Sequence, residues 1–104
     1  MIENESRLVY QIMQELGRHG AVFRTHAGRF YTRSGQAVSG LPKGFTDVLF
    51  IGPGGIACFI EVKIQGNKAS PEQSEFIVRM KSLGAKAGVA TSVDEARMLC
   101  GISA

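Results

Sequence analysis

Two runs rich in β-branched and aromatic residues, 46–51 and 56–64, flank Gly52-Pro53-Gly54-Gly55, and no other feature constrains the fold as strongly. Apolar runs of this length joined by a glycine- and proline-rich loop predict an antiparallel hairpin. Three charges interrupt them: Asp47 in the first run, Glu61 and Lys63 in the second. A charge in a sheet core needs a partner, because burying an unpaired ion costs several kcal/mol.

Loop length decides whether the three charges meet. If the loop is Pro53-Gly54-Gly55, with proline favouring a type I turn and a glycine in the left-handed position, Gly52 pairs with Ile56 and Asp47 falls opposite Glu61. Directly opposed Cβ atoms lie about 4.5–5.5 Å apart, and carboxylates that close repel unless a cation stands between them. Oxygen donors without His or Cys suit Mg²⁺ or Mn²⁺ rather than Zn²⁺. A four-residue loop would instead place Asp47 opposite Ile60, on the wrong face. Strand alternation sets Phe59, Glu61 and Lys63 on one face and Cys58, Ile60, Val62 and Ile64 on the other. In the competing reading, Glu61 and Lys63 are an ion pair on a half-solvated strand while Asp47 caps a turn after Gly44. An acid aligned across the hairpin, behind a loop rich in bases, favours the site.

The remaining segments alternate between helix and strand. Leu8, Val9, Ile12, Met13 and Leu16 recur at helical spacing over 4–17, and Gly17 and Gly20 end that helix. Residues 21–26 form a strand; 29–33 are a further strand or the rim of a loop. Glycines, Ser39 and Pro42 make 34–44 a long loop, read as a substrate-facing lip. Ser70-Pro71-Glu72-Gln73 has the spacing of a capping box ahead of a helix reaching about Leu83. Residues 86–91 are a strand, and Ser92-Val93-Asp94-Glu95 repeats the capping-box spacing before a short last helix. The predicted order α-β-β-β-α-β-α is an α/β fold, a mixed sheet flanked by helices, with its last strand reached through a helical crossover.

Two further polar residues can each be read in two ways. On a helical wheel Glu5 falls within about 20° of Ile12, so it points inward; it either completes a metal site or lies in a frayed first turn. Gln73 either reaches the acids or returns a hydrogen bond to the Ser70 amide.

At 104 residues the chain is one domain, 1–104. Its longest hydrophobic run, residues 56–60, is five residues, far below the roughly 20 of a membrane span. Glu3 and Glu5 stand where a secretory signal would carry positive charge, so a cytoplasmic protein is expected. Cys58 and Cys100 form no metal motif and read as inert thiols. Twelve Lys and Arg against nine Asp and Glu give +3. The distribution says more: the 31 residues between Glu15 and Asp47 hold no acid but Arg18, Arg24, Arg29, Arg33 and Lys43, interleaved with Phe30, Tyr31 and Phe45. That pattern suits a phosphate backbone or a solubilising face. His26, beside Arg24 and Arg29, is a weaker phosphate candidate. No Ser, His and Asp set is arranged for nucleophilic catalysis.

Gly44-Phe45-Thr46-Asp47, Phe59-Ile60-Glu61-Val62-Lys63 and Ser70-Pro71-Glu72-Gln73, in that order, resemble the PD-(D/E)XK nuclease superfamily, and most of all its small phage-type virus-type replication-repair nuclease (VRR-Nuc) domains. The likeness runs from Glu5 to about Thr91. It departs at Thr46, where the family usually has proline. The resemblance implies a Mg²⁺- or Mn²⁺-dependent DNA endonuclease of a phage or its bacterial host. Asp47, Glu61 and the Val62 carbonyl would bind metal, Lys63 would serve the attacking water, and Glu5 and Gln73 would assist, Glu5 also as a ligand. Arg24, Arg29, Arg33, Lys43 and Lys68 would hold DNA, and a homodimer acting on four-way (Holliday) junctions is implied. The alternatives are a non-catalytic nucleic-acid-binding or assembly module with the same fold, and a sequence-specific restriction-type nuclease, for which 104 residues leave little room.

Overall fold

A computed structural model describes residues 4–25 and 29–103. Helix α1 spans Glu5–Leu16, with Asn4 as its N-cap: the Asn4 Oδ1 accepts from the Arg7 N–H at 2.7 Å. Leu8, Val9, Ile12 and Leu16 form its buried stripe. Strand β1 (Ala21–Arg24) follows, then β2 (Arg29–Tyr31), β3 (Ala37–Ser39), β4 (Val48–Ile51) and β5 (Ala57–Val62). Helix α2 (Pro71–Ser82), strand β6 (Lys86–Ala90) and helix α3 (Val93–Leu99) complete the order. No helix among the described residues is long and apolar enough to cross a membrane.

The main sheet runs β1-β4-β5-β6. β4 pairs antiparallel with β5, Val48 opposite Ile60 and Ile51 opposite Ala57, and the Gly52 N–H donates to the Ile56 carbonyl at 3.0 Å. The three-residue loop is therefore the one that forms. Its turn type differs from expectation. The Gly55 N–H donates to the Gly52 carbonyl, and Gly54 between them sits at φ 82°, ψ 3°, the third-position conformation of a type II turn. A glycine there removes the Cβ penalty that would otherwise favour type I.

β5 pairs parallel with β6, as the crossover through α2 requires. Where the sequence predicts a loop over 34–44, Ala37–Ser39 instead pairs with Arg29–Tyr31 as a separate two-stranded sheet. Its turn is held by Thr32 N–H to the Gln36 carbonyl and by Gly35 at φ 87°. Three residues are too few for strand periodicity to register in the sequence.

The two faces of the main sheet are sealed differently. Val48, Phe50, Cys58, Ile60 and Val62 pack with the α1 stripe, Ala90 and Ala96 into one core. On the other face Phe59 meets Phe76 of α2 at 5.5 Å between ring centroids, and Phe45 closes against Phe76 at 4.5 Å. Gly44 makes that closure possible. It adopts φ 94°, and a Cβ there would lie 2.6 Å from the Glu72 carbonyl oxygen in the first turn of α2.

Candidate active site

Asp47 immediately precedes β4, and the observed register continued by one step sets it opposite Glu61. Its position is fixed on both sides. The Val62 N–H donates to Asp47 Oδ2 at 3.0 Å, and the Thr25 N–H donates to the Asp47 carbonyl at 2.8 Å. The Thr25 hydroxyl also donates to the Thr46 carbonyl, so Thr25 clamps the peptide groups on both sides of Asp47. The sequence does not single out Thr25; its only signal is a hydroxyl at the end of a strand that must pair with the acid-bearing one. Thr46, in place of the family's proline, is buried.

Glu61 is 1% exposed, which removes the half-solvated reading. Its Oε2 accepts from Lys63 Nζ at 3.1 Å and from Gln73 Nε2 at 2.8 Å. Its Oε1 is buried without a hydrogen-bond partner. Burial, with the nearby negative charge of Asp47, pushes the Glu61 carboxyl up to about 7 despite the opposing Lys63 ammonium. For Lys63, burial acts to lower the pKa, but the hydrogen bond to Glu61 and the charges of Glu61, Glu5 and Asp47 raise it on balance.

Gln73 serves both roles left open by its sequence. Its Oε1 accepts from the Ser70 N–H at 2.8 Å, and its own N–H donates to Ser70 Oγ at 3.2 Å, closing the capping box while Nε2 holds Glu61. At the third helix the box is incomplete: Glu95 Oε1 accepts from the Thr91 N–H and hydroxyl rather than from the Ser92 amide.

The donor set suits a hard divalent cation. A buried carboxylate oxygen with nothing to accept from, beside a second carboxylate, is what such an ion would complete. Glu5, half-buried at the start of α1, is near enough to act on Lys63. Among the described residues, however, no three His, Cys, Asp or Glu side chains gather closely enough to hold a metal. The carboxylates brought directly together are Asp47 and Glu61.

The basic residues are spread. Arg24 is exposed on β1, Arg33 is exposed in the β2–β3 turn, and Lys68 is exposed between β5 and α2. Lys43 lies 3.9 Å from Glu72 Oε2, tying the segment before Gly44 to α2. Arg29 lies in β2, but its side chain falls outside the described residues, as does His26 altogether.

The family model described as "VRR-NUC domain" matches residues 4–94. A solved structure described as "VRR_NUC domain" superposes with a TM-score of 0.67 at 24% identity, over 93% of this chain and 94% of that one, a likeness of fold. No curated protein matches this chain in sequence.

Proposed function

The chain belongs to the VRR-NUC domain family, a nuclease-type family, and from that premise we propose a Mg²⁺- or Mn²⁺-dependent endodeoxyribonuclease acting on branched DNA. The observation that carries the reading is the state of Glu61: a buried carboxyl near Asp47, with Oε2 held by Lys63 and Gln73 and Oε1 without a hydrogen-bond partner.

Asp47, Glu61 and the Val62 carbonyl would hold the ion, whose chemistry is to acidify an attacking water and offset charge on the scissile phosphate. The chain's own groups do the rest. The Val62 N–H fixes one Asp47 oxygen and leaves the other for ligation. Gln73 and Lys63 fix one Glu61 oxygen in the same way, so both ligands are oriented before substrate arrives. Lys63 holds the attacking water and supplies positive charge where negative charge develops. Glu5 adds to the negative charge that, led by the hydrogen bond from Lys63 to Glu61, favours the ammonium form of Lys63. Cleavage leaves a 5′-phosphate and a 3′-hydroxyl. Arg24, Arg29, Arg33, Lys43 and Lys68 grip the backbone, positioning DNA without reading its sequence.

Resolving a four-way junction needs two cuts on strands related by a two-fold axis, and a single subunit has one Asp47/Glu61 pair. A C2 homodimer supplies both. The setting that fits is the bacterial cytoplasm, for a protein of the bacterium or of its phage. The test is a panel of linear duplex, single strand, flap and four-way junction with Mg²⁺ and with Mn²⁺, scored for paired nicks, alongside light scattering at micromolar concentration. Paired symmetric nicks by a dimer support the reading. A stable monomer that cuts only flaps or single strands contradicts the junction and dimer assignments, and binding without cleavage in every arm would make the chain a non-catalytic module.

A further inference from the structure

Three residues before Glu61 on β5, and on the opposite face of the sheet, Cys58 meets Cys100 at the C-cap of α3, with 3.0 Å between their sulfurs. Both thiols are free. Their surroundings differ. Cys58 is fully buried, whereas Cys100 is partly exposed and lies next to Gly101. Lys86 faces Cys58 across the β5–β6 pairing, and its ammonium lies against Gly101, where a Cβ would sit 2.9 Å from Lys86 Nζ. A pocket of about 470 Å³, lined by both cysteines, Lys86, His19 and Ile102, gives access to the pair.

The contact with Cys58 and the charge of Lys86 lower the Cys100 thiol against the pull of burial. The contact with Cys100, and burial, raise the Cys58 thiol. Cys100 is thus the sulfur open to an oxidant entering the pocket, beside the Lys86 charge, and Cys58 the buried one behind it. The thiolate is the reactive form, and an oxidant-sensitive cysteine characteristically stands beside a second, resolving one.

We propose that Cys58 and Cys100 form a reversible disulfide within one chain when the protein meets a two-electron oxidant of the peroxide class. The Cys100 thiolate attacks a peroxide oxygen, the O–O bond breaks, hydroxide leaves, and Cys100 becomes a sulfenic acid. The Cys58 sulfur then attacks the Cys100 sulfur; the S–S bond forms, the S–O bond breaks, and the departing hydroxide takes the Cys58 proton as water. Two thiols and one peroxide give one disulfide and two waters. A disulfide bond is about 2.05 Å long, so the sulfurs must close by about 1 Å. The partly exposed end of α3 can supply that movement. The bond would close a loop containing α2, β6 and α3.

The test uses the reduced full-length chain exposed to hydrogen peroxide, alkylated under denaturing conditions and mapped by peptide mass. The expected product is a Cys58–Cys100 cross-linked peptide from a chain that runs as a monomer on a non-reducing denaturing gel, reversed by dithiothreitol. A folded Cys58→Ala variant should instead trap sulfenic acid at Cys100, captured by dimedone. Both thiols alkylated after peroxide, a bond between two chains, or Cys100 overoxidised with Cys58 untouched would each overturn the proposal. Absence of the dimedone adduct in the folded variant would overturn Cys100 as the attacking sulfur. Should that variant not fold, the peptide map of the unaltered chain decides alone.

Discussion

Gln73 Nε2 donates to Glu61 Oε2 at 2.8 Å, so the residue that closes the α2 capping box also holds the buried carboxylate. Helix start and site geometry are one unit here. Stability and activity should therefore respond to Gln73 together, and a substitution that preserves one function should separate them.

Gln73→Ala removes both interactions. Loss of the reciprocal cap should cost about 1 kcal/mol, and loss of the carboxylate anchor should reduce cleavage roughly 10- to 100-fold. Gln73→Glu retains the capping geometry but sets a second carboxylate against Glu61. At pH 5, where Glu61 carries its proton and can donate to the new carboxylate, it should keep the thermal midpoint closer to that of the unaltered protein than alanine does, lose that advantage at pH 8 where the two carboxylates repel, and lose activity. A Gln73→Glu enzyme of full activity would remove Gln73 from the site.

Asp47→Ala, Glu61→Ala and Lys63→Ala should each lower cleavage by orders of magnitude with unchanged far-ultraviolet circular dichroism. Their stabilities should differ. Asp47→Ala leaves the Val62 N–H without its acceptor, whereas Glu61→Gln removes a buried charge while keeping its volume. Near-normal turnover with Mg²⁺ in any alanine variant would contradict the role given to that residue.

The raised pKa of Glu61 makes stability depend on pH in a definite direction. Its ordinary value is 4.5 and its folded value about 7, so between these the folded chain binds more protons than the unfolded one. Ion-free protein therefore loses stability as pH rises through that window, by up to about 3 kcal/mol, and levels off above it. Denaturant midpoints in EDTA should fall between pH 5 and pH 8 for the native sequence relative to Glu61→Gln. Added Mg²⁺ should restore more stability at pH 8 than at pH 6, because protons compete for the same carboxylate. A difference between the two proteins that does not change with pH would place the Glu61 charge elsewhere in the energetics.

Charge reversal at Arg29, Arg33 or Lys43 should weaken DNA binding without altering Mg²⁺ affinity. The slope of log affinity against log salt should flatten by about one unit for each phosphate that is no longer neutralised. An unchanged slope in all three variants would show that this stretch does not touch DNA. Because Lys43 also lies near Glu72, its reversal should carry a small stability cost absent at Arg33.

Most of the site's framework was legible because a short loop leaves little freedom. Once Pro53-Gly54-Gly55 closes the hairpin, alternation alone sets Asp47 against Glu61, and the register has that form. The same alternation places Phe59 beside Glu61, but its closure by Phe45 and Phe76 depends on how α2 crosses the sheet, which no local pattern encodes. Strand β3 was hidden because three residues carry too little periodicity, and the type II turn because a glycine tolerates either turn type. The two roles of Gln73 read as alternatives in the sequence, although a side-chain amide has separate donor and acceptor ends and can fill both. The free Oε1 of Glu61 and the meeting of Cys58 with Cys100 arise only from tertiary packing.

If Asp47 and Glu61 hold a divalent ion that drives DNA cleavage, then titrating Mg²⁺ into EDTA-treated protein should switch on cleavage of an end-labelled four-way junction and linear duplex. The predicted result is no cleavage without the ion, saturable cleavage with it, ends bearing 5′-phosphate and 3′-hydroxyl, and no recovery in Glu61→Gln at any Mg²⁺ concentration. Cleavage that persists in EDTA, or no cleavage of either DNA at saturating Mg²⁺ or Mn²⁺, would contradict it.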